Sequence, residues 1–495
     1  MQYETVIPAE EACRCLLCDQ AACTQACPHG IDPARLLRAL RFENPVGAEA
    51  ALKQNFACAE CSAPCERACV RKANPIPIRR VLTALQENSS GRAQPAETPV
   101  DLSCDFLGVH LENPFLLSSS VVTDSYEKIA RAFEMGWAGV CMKTLCDFKP
   151  HEASPRYAAL PAEHGFCGFK NIEQLSGNSL QTDLDTIRRL KQCFPGKAVF
   201  VSIMGRTDEE WERLARLAEE AGADAIECNF SCPNMERAGL GDDIGQSPEA
   251  VACCTAAARR GCTIPLLVKL TPNVADMRPL AQAAMKSGAD GIAAINTLKS
   301  LVGMDFDTYA TAPSVRGVSG VGGYSGAAVK PVALRFVWEM ASDPKLSNLP
   351  ISGMGGITTW RDAVEFLLLG ANHVQITTAV MQYGARIIDD LTDGLKWYLR
   401  EKGMARLSDL QGRGVENVRE LDELDRQTKL LPRFNRQKCL GCGRCSLSCR
   451  DGGHGALHME NGRPVLNVHA CVGCHLCVLV CPAGAISPGG KRIGV

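Results

Sequence analysis

Residues 198–230 read AVFVSIMGRTDEEWERLARLAEEAGADAIECNF. The first seven, AVFVSIM at 198–204, are an apolar run of strand length. DEEWERLARLAEEAGA at 208–223 carries apolar residues at helical spacing, with acidic residues opening its first turn. DAIECNF at 224–230 is a second strand-like run. Two strands joined through a helix make a parallel pair, not a hairpin. Outward from this unit the pattern recurs. PFLLSSS at 114–120, AGVCMKT at 138–144, PLLVKL at 265–270, GIAAIN at 291–296, PISGMG at 350–355 and HVQITT at 373–378 are further strand candidates, and WRDAVEFLLLGA at 360–371 is another amphipathic helix. Eight strands with helical connections, in a stretch of the length such folds require, predict an α/β fold, a (β/α)8 TIM barrel over residues 99–405. A doubly wound sheet needs a Gly-rich fingerprint after an early strand. GVSGVGGYSG at 317–326 follows no clear strand and is not read as a dinucleotide site.

The 495 residues are 46% hydrophobic and 22% charged, enough to bury a large core. Lys and Arg total 53 against 55 Asp and Glu, a net charge of −2, which argues against binding to nucleic acid through a basic surface. No apolar run reaches the ~18 residues of a membrane span. The opening MQYETVIPAEEAC has no basic segment followed by an apolar one, so a cytoplasmic location is expected. The 27 cysteines are the outlying feature. Their CxxC runs in a long chain without a leader favour a reducing compartment and metal or Fe–S ligation over disulfides. They also divide the chain into an amino-terminal block at 1–88, a barrel with scattered thiols, and a carboxyl-terminal block at 437–495. Residues 88–99 (NSSGRAQPAETP, polar and holding two prolines) read as a linker.

Cys439, Cys442, Cys445 and Cys449 are spaced C-x2-C-x2-C-x3-C, and Cys471, Cys474, Cys477 and Cys481 repeat the spacing before Pro482. This resembles the bacterial two-cluster ferredoxins, in which the fourth cysteine of each run ligates the other [4Fe-4S] cluster. The resemblance assigns Cys439, Cys442, Cys445 and Cys481 to one cluster and Cys449, Cys471, Cys474 and Cys477 to the second. Zinc knuckles need four ligands per closed site and do not call for this run.

At the other end, Cys15, Cys18, Cys23 and Cys27 are followed by Cys58, Cys61, Cys65 and Cys69, the two groups joined by RLLRALRFENPVGAEAAL, helical in period. This resembles the helical di-cluster domain of dihydropyrimidine dehydrogenases and of the glutamate synthase small subunit. The resemblance implies that Cys15, Cys18, Cys23 and Cys69 hold one cluster, and that Cys27, Cys61 and Cys65 hold three corners of another. Those families supply the fourth corner from a Gln or Glu near a stretch matching Pro75–Ile78. The aligned position here is Leu82, which leaves Cys58 and Gln86 as candidates, with Cys58 favoured. Cys13 is read as a spare thiol.

Within the barrel, Met142-Lys143-Thr144, Asn171-Ile172-Glu173, Asn229 through Asn234 (NFSCPN), Lys269-Leu270-Thr271-Pro272, Asn296-Thr297 and Gly355-Gly356-Ile357 follow in order. Together they resemble the dihydroorotate dehydrogenase superfamily, and within it the catalytic subunits of bacterial NAD-dependent dihydropyrimidine dehydrogenases. The resemblance implies FMN in the barrel. Lys269 would sit beside the flavin N1 and O2, with Lys143 and Thr144 near the ring and Ser119 and Ser120 at the first strand. Phosphate cradling would fall to Gly326, Gly355, Gly356, Thr377 and Thr378.

Asparagine presents donor and acceptor without titrating. Asn171, Asn229 and Asn296, from three strand ends, could therefore read the edge of a pyrimidine, with Ser231 and Thr297 adding hydroxyls. Glu173 would accept from a ring N–H and repel a carboxylated ring, favouring uracil or thymine over orotate. Asn234 points the other way, since SCPN is common among dihydroorotate dehydrogenases. Cys232 is the expected general acid, and neighbouring Cys228 a structural thiol. The resulting expectation is a reversible uracil/thymine reductase with FMN and four [4Fe-4S] clusters, two at each end. It draws electrons from an FAD/NAD-binding flavoprotein or a ferredoxin, works as an oligomer, and engages neither nucleic acid nor membrane. Two alternatives stand beside it: dehydrogenation of dihydroorotate or another cyclic substrate, and a non-catalytic electron-transfer subunit.

Overall fold

The computed structural model describes residues 9–52, 58, 60–89, 99–163, 165–235, 239–489 and 492–494. Most of the linker read at 88–99 lies outside these residues. Eight parallel strands close into a barrel, each beside its neighbour in sequence. They are β1 (Phe115–Leu117), β2 (Gly139–Leu145), β3 (Ala198–Ile203), β4 (Ala225–Asn229), β5 (Leu266–Lys269), β6 (Gly291–Ala294), β7 (Ile351–Met354) and β8 (His373–Ile376). Every residue of all eight is buried. Helices cover one face and side chains fill the other, which is why these strands read as continuous apolar runs without alternation.

The helix between β3 and β4 shows how the local sequence builds the wall. Thr207 caps Asp208–Glu220 by accepting from the Glu210 N–H, and Trp211, Leu214, Ala215 and Ala218 form the buried stripe. Helix Trp360–Leu368, before β8, starts at a capping box of Thr359 and Asp362. A hairpin of Cys104–Phe106 with Val109–Leu111 packs Phe106 and Leu111 against Leu116, Ala198, Phe200, Ala225 and Leu267, closing the floor where strands begin.

Two features differ from the sequence expectation. The segment joining the amino-terminal cysteine groups is two helices, Pro33–Arg41 and Pro45–Leu52. Asn44 precedes a proline and is therefore disfavoured in helical geometry, and Glu43 turns at φ +59°. The barrel also carries a four-stranded antiparallel sheet of Tyr157–Ala162, Gly165–Asn171, Gly322–Ser325 and Leu298–Ser300, contributed by two of its loops. It was not expected.

The amino-terminal helices dock on barrel segments on both sides of β8. Arg38 Nε pairs with Asp390 at 2.7 Å, both buried. Trp360 Nε1 donates to the Glu43 carbonyl at 2.8 Å, and Arg41 reaches the Tyr383 hydroxyl at 3.2 Å. Val418–Val495 forms a separate unit. Its small sheets and helices Arg444–Gly452 and Leu476–Leu479 enclose an apolar cluster in which Cys445, Cys449, Cys471 and Cys477 are members. Among the described residues no helix is long and apolar enough to cross a membrane.

Candidate functional site

Twelve of the sixteen clustered thiols line three voids in sets of four. Cys15, Cys18, Cys23 and Cys69 line one small void, and Cys27, Cys58, Cys61 and Cys65 line a second, with Leu82 on its wall and Gln86 off it. Cys439, Cys442, Cys445 and Cys481 surround a cavity of about 350 Å³. Cys477 has Cys474, Cys445 and Cys449 as neighbouring thiols, and Cys471 shares its apolar cluster. Burial raises the thiols of Cys15, Cys23, Cys58, Cys65, Cys445 and Cys477, and neighbouring thiols raise them further. Crowded thiolates are unfavourable unless a cation sits among them. Among the described residues no three His, Cys, Asp or Glu side chains converge on a single-ion position; the thiols ring voids instead. That donor set suits iron–sulfur cubes. The first set is tied to the barrel, since Arg41 donates to the Cys15 carbonyl at 2.8 Å and Arg386 to those of Leu17 and Cys18.

The barrel's cavity, about 330 Å³, opens at the carboxyl ends of the strands. Ser119, Ser120, Lys143, Thr144, Asn171, Glu173, Asn229, Cys232, Lys269, Asn296, Thr297, Gly326, Gly355, Gly356, Thr377 and Thr378 all line it. On one side the backbone is open. Gly355 and Gly356 have φ +126° and +81°, and a Cβ on Gly356 would stand 2.8 Å from the Gly326 carbonyl. Only glycine holds that turn. Hydroxyls surround it, with Thr377 on Ser120 at 3.3 Å and Thr378 on Ser325 at 3.0 Å. On the floor, buried Lys269 donates to Ser118 at 3.3 Å and faces Glu227 at 3.6 Å. An ammonium has three donors, and one hydrogen bond leaves it able to serve an acceptor in the cavity. Glycine cradle, hydroxyls and cation fit a flavin phosphate and ring.

The same cavity holds groups suited to a heterocycle. Asn229 Nδ2 donates to Thr144 at 2.9 Å and Asn234 Nδ2 to Asn171 Oδ1 at 3.0 Å. Cys232, 7% exposed, follows β4 in a loop held by a bond from Asp242 N to its carbonyl at 3.1 Å. A Cβ on Gly241 would meet that carbonyl at 2.2 Å, so the loop requires glycine there. Burial pushes the Cys232 thiol up to about 11, aided by Asp242 and Glu152.

Three expectations change. Asn171 ends a strand of the added sheet and not a barrel strand. Ser231 is fully buried and off the cavity wall; it donates to Asn229 Oδ1 at 3.0 Å and accepts from Asn296 Nδ2 at 2.8 Å, so it braces the two amides. Glu173 does not stand alone: Lys143 lies at 2.8 Å, Arg156 at 3.2 Å, and the Tyr157 hydroxyl bonds its other oxygen. Two cations beside one carboxylate remove its power to repel an anionic ring. Tyr157, Phe166, Phe169 and Ser325 were missed because they belong to the added sheet. The HG pair at 164–165 between two aromatic-bearing runs is the signal that could have found it.

Residues 101–399 match the dihydroorotate dehydrogenase family, 433–487 the 4Fe-4S dicluster domain, and 1–92 the family described as dihydropyrimidine dehydrogenase domain II, 4Fe-4S cluster. The NAD-dependent dihydropyrimidine dehydrogenase subunit PreA of Escherichia coli K12 is 51% identical over 358 residues, 72% of this chain and 87% of that protein. The chloroplastic dihydropyrimidine dehydrogenase (NADP(+)) of Arabidopsis thaliana is 36% identical over 65% of this chain and 78% of its own length. The catalytic subunit of dihydroorotate dehydrogenase B (NAD(+)) from Pyrococcus abyssi is 40% identical over 63% of this chain and 98% of its own. Matched across its whole barrel and carrying [4Fe-4S] domains at both ends, the chain belongs to the dihydroorotate dehydrogenase family and is an oxidoreductase acting on CH–CH bonds.

Proposed function

We propose that the chain reduces uracil or thymine to the 5,6-dihydropyrimidine, reversibly, with FMN in the barrel cavity and two [4Fe-4S] clusters in each flanking domain. The observation that carries this reading is one cavity lined by the buried Cys232 thiol, the amides of Asn171, Asn229 and Asn296, and a glycine-and-hydroxyl cradle. A bound flavin supplies hydride exchange with the ring, and the clusters supply one-electron transport. The chain's residues do the rest. Asn171, Asn229 and Asn296 bind the ring edge, with Ser231 fixing the last two. Cys232 holds a proton at Sγ for ring carbon 5. Buried walls keep water from competing for that position.

The relay is supported by the docking of the first thiol set. From the Cys15 carbonyl the path runs through Arg41 to Tyr383, which lines the cavity. No dinucleotide fingerprint occurs in the chain, so electrons come from a partner of flavoprotein or ferredoxin type. The E. coli relative is named a subunit, which agrees with that reading.

One observation favours a second reading. Lys143 and Arg156 beside Glu173 would accept the carboxylate of dihydroorotate. Anaerobic turnover of uracil, thymine and orotate with a chemical reductant, on protein holding FMN and about 16 iron atoms, separates the two. Uracil or thymine reduction is the expected result. Turnover of orotate alone establishes the second reading.

A further inference from the structure

Barrel interiors are ordinarily layers of bulky apolar side chains. Here the layer beneath the cavity floor is polar. Glu227 lies two residues before Asn229 on β4, on the same side of the strand and one layer lower. It is completely buried. Its Oε2 accepts from Gln375 Nε2 at 3.3 Å, and that nitrogen also donates to Ser352 at 2.8 Å. Its Oε1 has no hydrogen-bond partner and stands 3.6 Å from Lys269 Nζ, on the neighbouring strand. Cys141, also fully buried, lies beside it. A buried carboxylate costs more than an apolar residue of its size unless it is paired. Among the described residues its one cationic partner is the lysine of the cavity floor.

We infer that Glu227 is a positioning residue for the bound flavin. It anchors Lys269 at the floor and offsets that ammonium's charge, which lowers the tendency of the flavin to hold electrons and keeps reduction of the substrate favourable. The inference rests on the flavin reading given above, and Glu227 touches neither flavin nor substrate. Removing the negative charge leaves Lys269 uncompensated beneath the ring and stabilises the reduced, more negative form.

The test is spectroelectrochemical titration of the full-length protein, after identifying the flavin in the wild-type chain. Glu227→Gln should raise the ratio of reduced to oxidised flavin at fixed poise at least tenfold, about 30 mV for a two-electron couple. Glu227→Asp, which keeps the charge, should stay within about threefold of wild type. Lys269→Met should shift the ratio the opposite way and lower Tm by stranding Glu227, and adding Glu227→Gln should recover most of that Tm. A ratio in Glu227→Gln within twofold of wild type overturns the inference. So does a Glu227→Gln chain that fails to fold, since the residue is then structural. A wild-type barrel without flavin overturns the cofactor reading itself and is told apart at the first step.

Discussion

Replacing Cys232 with alanine removes the proton at Sγ while leaving Asn229, Asn296 and the glycine cradle in place. Burial holds the thiol at about 11 against an ordinary 9.0. Two pKa units correspond to about 2.7 kcal/mol in favour of the neutral form, so at pH 7.5 about one molecule in 3,000 carries the thiolate. The group is thus a loaded acid across the physiological range. Pyrimidine reduction should be flat in pH from about 6 to 9, since the acid stays protonated throughout. The reverse oxidation needs the thiolate, and should rise about tenfold per pH unit toward 11. The alanine variant should lose about 10²–10⁴ in turnover in both directions, with flavin content and substrate KM little changed. Cys232→Ser should fall between. The assay is single-turnover reduction of uracil by pre-reduced enzyme, beside kcat and KM at a series of pH values. An alanine variant that turns over at the wild-type rate, or a reduction rate that falls steeply between pH 7 and 9, refutes the assignment.

Arg38→Ala should strand the Asp390 carboxylate, which is 2% exposed and already raised by burial. A loss of about 3–5 kcal/mol is the scale for breaking such a pair, read in denaturant unfolding as early release of the amino-terminal helices; Arg38→Ala/Asp390→Asn should recover much of it, and a loss below about 1 kcal/mol counts against the docking. His373, wedged 4.4 Å from Phe106 and 6.0 Å from Phe200 with neither ring nitrogen bonded, is pushed down to about 3 by burial. The unfolded chain binds its proton near 6.5 and the folded one does not, so this contribution is intact above 6.5 and is lost as pH falls toward 3, by up to about 1.4 kcal/mol per pH unit. His373→Leu should flatten that part of an acid-unfolding curve, and an unchanged slope counts against it.

What the sequence determined by itself follows from local chemistry. Residues 198–230 announced strand, helix and strand because burial on both faces makes parallel strands uniformly apolar, and because Thr207 and the acidic turn after it mark a helix start. The cysteine runs were legible because ligands of one cube must be close in sequence to cover one of its faces. Lys143, Lys269, Asn229, Asn296, Gly355 and Gly356 were legible because they lie at or just past the ends of those same strands. Tertiary structure alone decided the rest. Whether Cys58 or Gln86 faces the second void depends on how helix Ile78–Ser89 packs, and it puts Leu82 on the wall and Gln86 off it. Ser231 turned inward because its hydroxyl satisfies two amides from different strands. Glu173 acquired Lys143 and Arg156 through a sheet formed from separate loops. Glu227 lies inside the strand-like run at 224–230, and only closure of the barrel set it beside Lys269, since a charge's partner is fixed by proximity in space and not by spacing along the chain.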